Sequence, residues 1–284
     1  MSKARSTRNA REEQGLLSEP RFELMPFESM EGQLGHLPDH ATVSITASPS
    51  LGLEATVDWA ERAAERGYSV VPHIAARYVR DRAHLETIGE RLQAVGVSDI
   101  FVPGGDREEP VGEFGSAYEL LVALEDIGLE FDGVGITGYP EGHEFLSQET
   151  LANAMDRKAP HATYITTQLC YDPEAIVTWI ETIRGRGIDL PVEVGIPGVL
   201  KYSRLLDISQ KVGVGDSVHF LRKTSGILGF VRQFVGSRGK YTPDDLVAGL
   251  APHADDPEYG IRGLHIYTFN QAADAETWRR EMLR

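Results

Sequence analysis

Eight short β-rich runs, each separated from the next by a connecting segment, constrain this chain more than any other feature. They are Arg21–Met25, Ala41–Ala47, Ser69–Ile74, Asp99–Pro103, Asp132–Thr137, Ala162–Leu169, Pro191–Ile196 and Gly263–Thr268. Most are unbroken apolar stretches, the pattern of parallel strands covered by helices. Between them, Leu53, Val57, Ala60 and Ala64 share one helical face, as do Leu85, Ile88, Leu92 and Val95, and again Leu120, Leu121, Leu124 and Ile127. Gly67, Gly96 and Gly128 are placed to stop these helices, and Asp172-Pro173 and Thr242-Pro243 to start two others. Repeated β-then-α units predict a single-domain (β/α)8 TIM barrel over residues 21–284. A doubly wound open sheet is the alternative, weakened by the missing Gly-x-Gly-x-x-Gly turn after the first strand. Residues 1–20 mix Arg, Ser and Glu without an apolar run and read as a flexible arm. The connection Pro26–His40 is poor in apolar periodicity. Ser209–Leu250 is unusually long, with a helical stretch at Phe220–Phe234 that would hang over the barrel mouth.

Charge then narrows the partners. Lys+Arg 28 against Asp+Glu 43 gives −15 over 284 residues, with a pI near 5.0. Such a surface repels phosphate backbones and anionic lipid, so neither nucleic acid nor membrane is the expected partner. The lysines are only Lys3, Lys158, Lys201, Lys211, Lys223 and Lys240. Adaptation to a salty cytoplasm and acidic drift in an arginine-rich proteome both account for this balance. Cys170 is the single cysteine, so an intramolecular disulfide is excluded and nothing points to an oxidising compartment. No stretch reaches the ~18 apolar residues of a spanning helix, and Glu12-Glu13 argues against a transit peptide. The expected location is cytoplasmic, with small-molecule substrates and a homo-oligomer compatible with the sequence.

In a barrel, chemistry gathers at the C-terminal ends of the strands. Those ends read Glu23, Thr46, His73, Gly104-Gly105-Asp106, Tyr139-Pro140-Glu141-Gly142-His143, Gln168, Pro197 and Tyr267-Thr268-Phe269-Asn270. Glu23 is a carboxylate inside an apolar strand, where burial would raise its pKa and suit it to donate a proton near neutrality. Gly104-Gly105-Asp106 lets backbone approach a ligand and offers a carboxylate to ring N–H groups. Each has an ordinary structural explanation as well: an ion-paired strand-end Glu, a tight βα turn capped by Asp, a satisfied core histidine at His73. His73, Asp106, Glu141 and His143 also suggest a metal-dependent barrel lyase or hydrolase. That reading lacks a His-x-His after the first strand. A binding barrel without chemistry would show an apolar rim, and this rim is polar.

These motifs, taken in order, resemble methylenetetrahydrofolate reductase. The resemblance rests on Phe22-Glu23, Val43-Ser44-Ile45-Thr46, Pro72-His73, Gly105-Asp106, Gly138-Tyr139-Pro140-Glu141-Gly142-His143, Lys158–Asp172 with Ile165-Thr166-Thr167-Gln168, Pro191–Pro197, and His265–Asn270. It implies reduction of 5,10-methylenetetrahydrofolate to 5-methyltetrahydrofolate, with NADH or NADPH passing hydride through bound FAD in a ping-pong cycle. It further implies that Glu23 is the general acid and that Asp106 hydrogen-bonds the pterin beside the flavin. By the same motifs Gln168 and Gln271 contact the folate, while Thr46, His73, Gly105, Asp106, Tyr139, His143 and Lys158 hold FAD. No metal is implied. The chain departs from the family's pattern at Gly104, where an Arg usually precedes Gly-Asp, and at Gln271, where an Arg usually follows Asn. It departs again at Thr150-Leu151, where an acidic residue is expected. The first departure implies looser FAD, or direct hydride transfer from nicotinamide to folate without flavin.

Overall fold

A computed structural model describes residues 11–201, 204 and 240–284. Eight parallel strands form one sheet: β1 (Arg21–Leu24), β2 (Thr42–Ile45), β3 (Ser69–Pro72), β4 (Asp99–Val102), β5 (Gly133–Gly138), β6 (Tyr164–Thr167), β7 (Val192–Pro197) and β10 (Ile261–Tyr267). Their spatial order is β3-β2-β1-β10-β7-β6-β5-β4. The two edges meet through a parallel bridge between His73 and Phe101, where Ile74 N–H donates to the Phe101 carbonyl at 2.8 Å. The sheet is therefore a (β/α)8 barrel, as the eight apolar runs predict. A two-stranded antiparallel pair, β8 (Leu200–Lys201) with β9 (Lys240–Tyr241), stands apart from it. Strand ends lie within about two residues of the expected ones. β10 starts two residues early because Ile261 already pairs with Val192 ahead of a register shift before Gly263.

The helices bury the expected faces. Helix α3 (Gly52–Glu65) buries Leu53, Val57 and Ala60, α4 (Arg82–Ala94) Leu85, Ile88 and Leu92, and α5 (Ala117–Asp126) Leu120, Leu121 and Leu124. All three end in the same way. At α3, Gly67 N–H donates to Ala64 O and Tyr68 N–H to Ala63 O, with Gly67 at φ +88°. Gly96 and Gly128 repeat this Schellman geometry. Asp172 caps α7 (Pro173–Arg184) by accepting from Glu174 N–H, with Pro173 in the first turn.

Three local expectations are corrected. The arm is not loose throughout: residues 11–18 form a helix, α1, with Leu16 and Leu17 buried. One buried pair of leucines is too short a signal for periodicity to reveal. The helix is fastened from the far end of the chain, where buried Arg279 donates to the carbonyls of Leu17 and Ser18 at 2.8 and 3.1 Å. Pro26–His40 is not featureless either, since Met30 and Leu34 anchor a short helix, α2 (Met30–Leu34). Thr242 does not cap a helix. The helix Asp244–Ala254 starts one residue later, with Pro243 at the N-cap and no side-chain cap. The expected helical stretch Phe220–Phe234 lies outside the described residues. Among the described residues no helix is long and apolar enough to cross a membrane.

What fills the barrel matters most for function. Arg21 from β1 reaches Asp99 of β4 at 2.9 Å and Glu193 of β7 at 3.3 Å. Its guanidinium lies 4.3 Å from the ring centre of Tyr164 on β6, and the Tyr164 hydroxyl donates to Asp99 at 2.8 Å. Four strands can meet in this way only across the barrel interior. The lower interior is therefore an ion-paired layer rather than packed aliphatics, and α1 covers it from below. Side chains alternate along a strand, so Glu23 shares the inward face of β1 with Arg21, one layer higher. Arg21→Met leaves Glu193, 4% exposed, with only the half-exposed Arg262 at 3.3 Å, and leaves Asp99 without its cation. A loss of about 3–5 kcal/mol is expected by chemical denaturation. Adding Glu193→Gln to that variant should restore part of it; no recovery would mean the layer is held by packing rather than by charge.

Candidate active site

At the C-terminal end of β1 the Glu23 side chain is only 13% exposed. Its Oε2 lies 3.1 Å from His265 Nε2 on β10, within hydrogen-bonding distance. His73 Nε2, beyond β3, lies 3.8 Å from the same oxygen. His73 in turn sits 2.8 Å from the Ser44 hydroxyl of β2, and its ring packs on Phe101 at 4.7 Å. Burial pushes the Glu23 carboxyl up to about 7, opposed by the nearby His73. The same burial holds His73 down to about 4 and His265 down to about 3, the latter helped by the charge of Arg21. Both imidazoles are therefore neutral at pH 7, and neither supplies the cation that would keep Glu23 ionised. The Tyr267 ring lies 4.8 Å from His265, and its hydroxyl donates to the Thr167 carbonyl at 2.9 Å. Burial, with Glu23 and Tyr139 nearby, raises the Tyr267 phenol well above its ordinary value.

The remaining predicted residues surround this centre in separate groups. After β4, exposed Asp106 accepts a short hydrogen bond from the Tyr78 hydroxyl, and Arg107 stands over the Tyr78 ring. Gly105 is at φ +92°, and a Cβ there would come within 3.2 Å of that ring, so both conformation and space favour glycine. At Gly104 a Cβ would meet nothing within 4 Å. After β5, Tyr139 is hydrogen-bonded to Thr137 and shifted upward by burial. Its ring meets exposed His143 edge-on at 5.4 Å. Lys158, the last residue of α6 (Gln148–Lys158), donates to Thr137 Oγ1 and O at 3.0 and 3.3 Å. Burial lowers it to about 8. Thr46 follows β2, its backbone bonded to Leu24 O and Thr56 Oγ1. Gln168 follows β6 and accepts from Leu169 N–H through its own side chain at 2.8 Å. Gln271 sits at the N-cap of the helix Ala272–Met282 without a side-chain cap.

This arrangement can donate a proton, from a carboxyl poised near neutrality, to a ligand at the mouth of the barrel. It also offers a buried cation, Lys158, which no carboxylate pairs with among the described residues. A sequence model of methylenetetrahydrofolate reductase matches residues 33–277, most of the barrel. The chain belongs to the methylenetetrahydrofolate reductase family. It is 25% identical over 166 residues to methylenetetrahydrofolate reductase 2 of Saccharomyces cerevisiae, covering 56% of this chain and 26% of that one. To the probable methylenetetrahydrofolate reductase (NADH) of Oryza sativa subsp. japonica it is 23% identical over 296 residues, covering 88% and 44%. To methylenetetrahydrofolate reductase (NADH) 1 of Arabidopsis thaliana it is 22% identical over 218 residues, covering 64% and 32%. The chain spans less than half the length of these curated relatives.

Within this family member, the structure brings Glu23 and His73 together directly and leaves Asp106 and Gln168 beyond β4 and β6, Gln271 at the helix start beyond β10, and Lys158 at the end of α6. Ser44, Tyr78, Thr137, His265 and Tyr267 were given no role by sequence reasoning. Ser44, His265 and Tyr267 fall inside the motifs that carry the resemblance, Thr137 directly precedes the one that starts at Gly138, and period-two alternation puts His265 and Tyr267 on one face of β10. Tyr78 lies after β3 and gave no such signal. The set His73, Asp106, Glu141 and His143 is not gathered: among the described residues no group of three or more His, Cys, Asp or Glu is arranged to hold a metal.

The raised Glu23 carboxyl makes a prediction about stability. Its folded pKa of about 7 exceeds the ordinary 4.5. Its stabilising contribution is thus complete below pH 4.5 and is lost as pH rises through 7. Glu23→Gln removes that dependence. The variant should be more stable than the parent at pH 8.5, by on the order of 2–3 kcal/mol, and the difference should vanish near pH 4. Denaturant titration at the two pH values reads this directly. A variant less stable than the parent at pH 8.5 would show that Glu23 is held as a paired anion.

Proposed function

We propose that this protein reduces 5,10-methylenetetrahydrofolate to 5-methyltetrahydrofolate, with a reduced nicotinamide as the source of hydride. The observation that carries the reading is Glu23: a carboxyl that burial makes titrate at about 7, beside two neutral histidines at the barrel mouth. The methylene carbon bridges two nitrogens and accepts hydride poorly. Proton transfer from Glu23 to N10 breaks the C–N10 bond and leaves an N5 iminium, a strong acceptor. Hydride addition there gives the N5-methyl group, so one proton and one hydride account for the product. Asp106 is positioned to accept from pterin N–H groups, with Gln168 and Gln271 on the adjoining rims as further folate contacts. Two plant relatives carry NADH in their names, which makes NADH the donor to try first.

FAD is the cofactor we assign. Lys158 supports it: an ammonium 7% exposed, bonded to Thr137 oxygens, suits a phosphate better than a hydrophobic core. Thr46, His73, Gly105, Tyr139 and His143 complete the set of residues that would hold it. When bound, FAD supplies a hydride carrier between nicotinamide and folate. Gly104, open where an arginine would clamp a phosphate, favours weak binding; it also favours the second reading, direct transfer from nicotinamide to folate. Freshly purified protein is expected to show flavin absorbance or to gain activity on added FAD. Full activity of colourless protein, unchanged by FAD, would establish direct transfer. In either case Glu23→Gln should cut folate reduction by about 10²–10⁴. If FAD is bound, that variant should still oxidise the nicotinamide with a quinone acceptor. Equal loss of both activities would assign Glu23 to cofactor binding or folding.

A further inference from the structure

His265 carries no role in the reading above, yet its surroundings are specific. It is 2% exposed, and its Nε2 lies 3.1 Å from Glu23 Oε2. Its Nδ1 is buried without a hydrogen-bond partner. A buried N–H lacking an acceptor costs more than a buried lone pair lacking a donor, because a carbonyl-like acceptor is more readily left under-satisfied. The proton of neutral His265 therefore belongs on Nε2, directed at Glu23. His73 Nε2 faces the same oxygen at 3.8 Å. Both contacts fall on Oε2, and among the described residues no protein group hydrogen-bonds Oε1.

We propose that His265 is the positioning residue of Glu23: its Nε2–H fixes Oε2 as the carbonyl oxygen, so that the acidic proton resides on Oε1, the oxygen left free to meet the ligand. A protonated carboxyl has one hydroxyl and one carbonyl oxygen, and a donor on one oxygen decides which is which. Without it, the proton is shared between an oxygen that faces the ligand and one that faces two imidazoles. The inference deepens the reductase reading and rests on it only for the identity of the proton's recipient. The groups that bear on this pair are Arg21 on the same strand, His73 beyond β3, Glu193 of β7 and Tyr267 of β10, itself facing Tyr139 beyond β5. Of these, His73 and His265 stay neutral and Tyr139 and Tyr267 stay protonated around pH 7, so Glu23 is the group that titrates there.

Nitrogen NMR of ¹⁵N-histidine-labelled protein tests the tautomer without any variant. Between pH 5 and 8, His265 should show a protonated Nε2 and a bare Nδ1. A proton on Nδ1 would overturn the proposal. Carbon NMR of ¹³C-glutamate-labelled protein, with Glu23→Gln for assignment, then follows the carboxyl itself. His265→Phe removes the donor to the ionised form, and the Glu23 midpoint should rise by about one unit. His265→Gln, whose amide N–H can take the place of Nε2, should keep it within a few tenths. With the folate present, the Phe variant should lose about tenfold or more in kcat with little change in KM, and the Gln variant should recover most of it. An unmoved midpoint and unchanged kcat in the Phe variant would reduce His265 to core packing. If that variant does not fold, His265→Met carries the same comparison. The titrations use the protein alone, so they stand or fall separately from the identity of the substrate.

Discussion

Arg21 is the cation of the barrel interior, and its commitment one layer beneath Glu23 governs the site above it. It neutralises Asp99 of β4 and Glu193 of β7 across the barrel interior. Its charge also helps to keep His265 uncharged. Glu23, two residues along the same strand, is left with neutral imidazoles and, among the described residues, no counter-ion. A carboxyl in that position is protonated near neutral pH because the surroundings make its anion costly. The ordinary barrel interior of branched aliphatic side chains could seal the lower end but could not set this polarity.

The loop beyond β10 holds the acid in place through the backbone. Thr268 Oγ1 donates to the Glu23 carbonyl at 2.5 Å. Asn270 accepts from Met25 N–H at 2.7 Å and donates to Met25 O at 3.1 Å. This loop contains two consecutive non-glycine residues with positive φ, Phe269 at +50° and Asn270 at +57°. Asparagine tolerates that region and phenylalanine does not, so Phe269 stores on the order of 1–2 kcal/mol of strain. The clamp across to β1 offsets it, joining residues 245 positions apart. First and last strands of the barrel are thus tied together directly beside the reacting group.

Much of this was legible in the chain. Eight apolar runs and the glycine stops of α3, α4 and α5 are local signals, each fixed by residues within one element, and they mapped onto the structure with small shifts. Glu23 stood out because an isolated carboxylate inside Phe-Glu-Leu-Met violates the pattern around it. The Arg21–Asp99–Tyr164–Glu193 layer could not be read, since its members come from four strands and each is unremarkable alone. Helix α1 was missed for a similar reason: its stability comes from Arg279, at the opposite end of the chain. The pairing of His265 with Glu23 depends on the β1–β10 register, in which Arg21 lies beside His265 and Glu23 beside Tyr267. Only closure of the barrel sets that register.

The central claim is that a protonated Glu23 drives reduction of the methylene bridge. The most direct measurement is the single-turnover rate at which [¹¹-¹³C]methylenetetrahydrofolate gains a methyl resonance, followed across pH 5.5 to 8.5 with a reduced nicotinamide. The account predicts conversion of the labelled methylene to an N5-methyl group, with a rate that falls as pH rises through about 7. A rate that stays level or climbs across that range, or nicotinamide oxidation that leaves the labelled carbon unreduced, would contradict it.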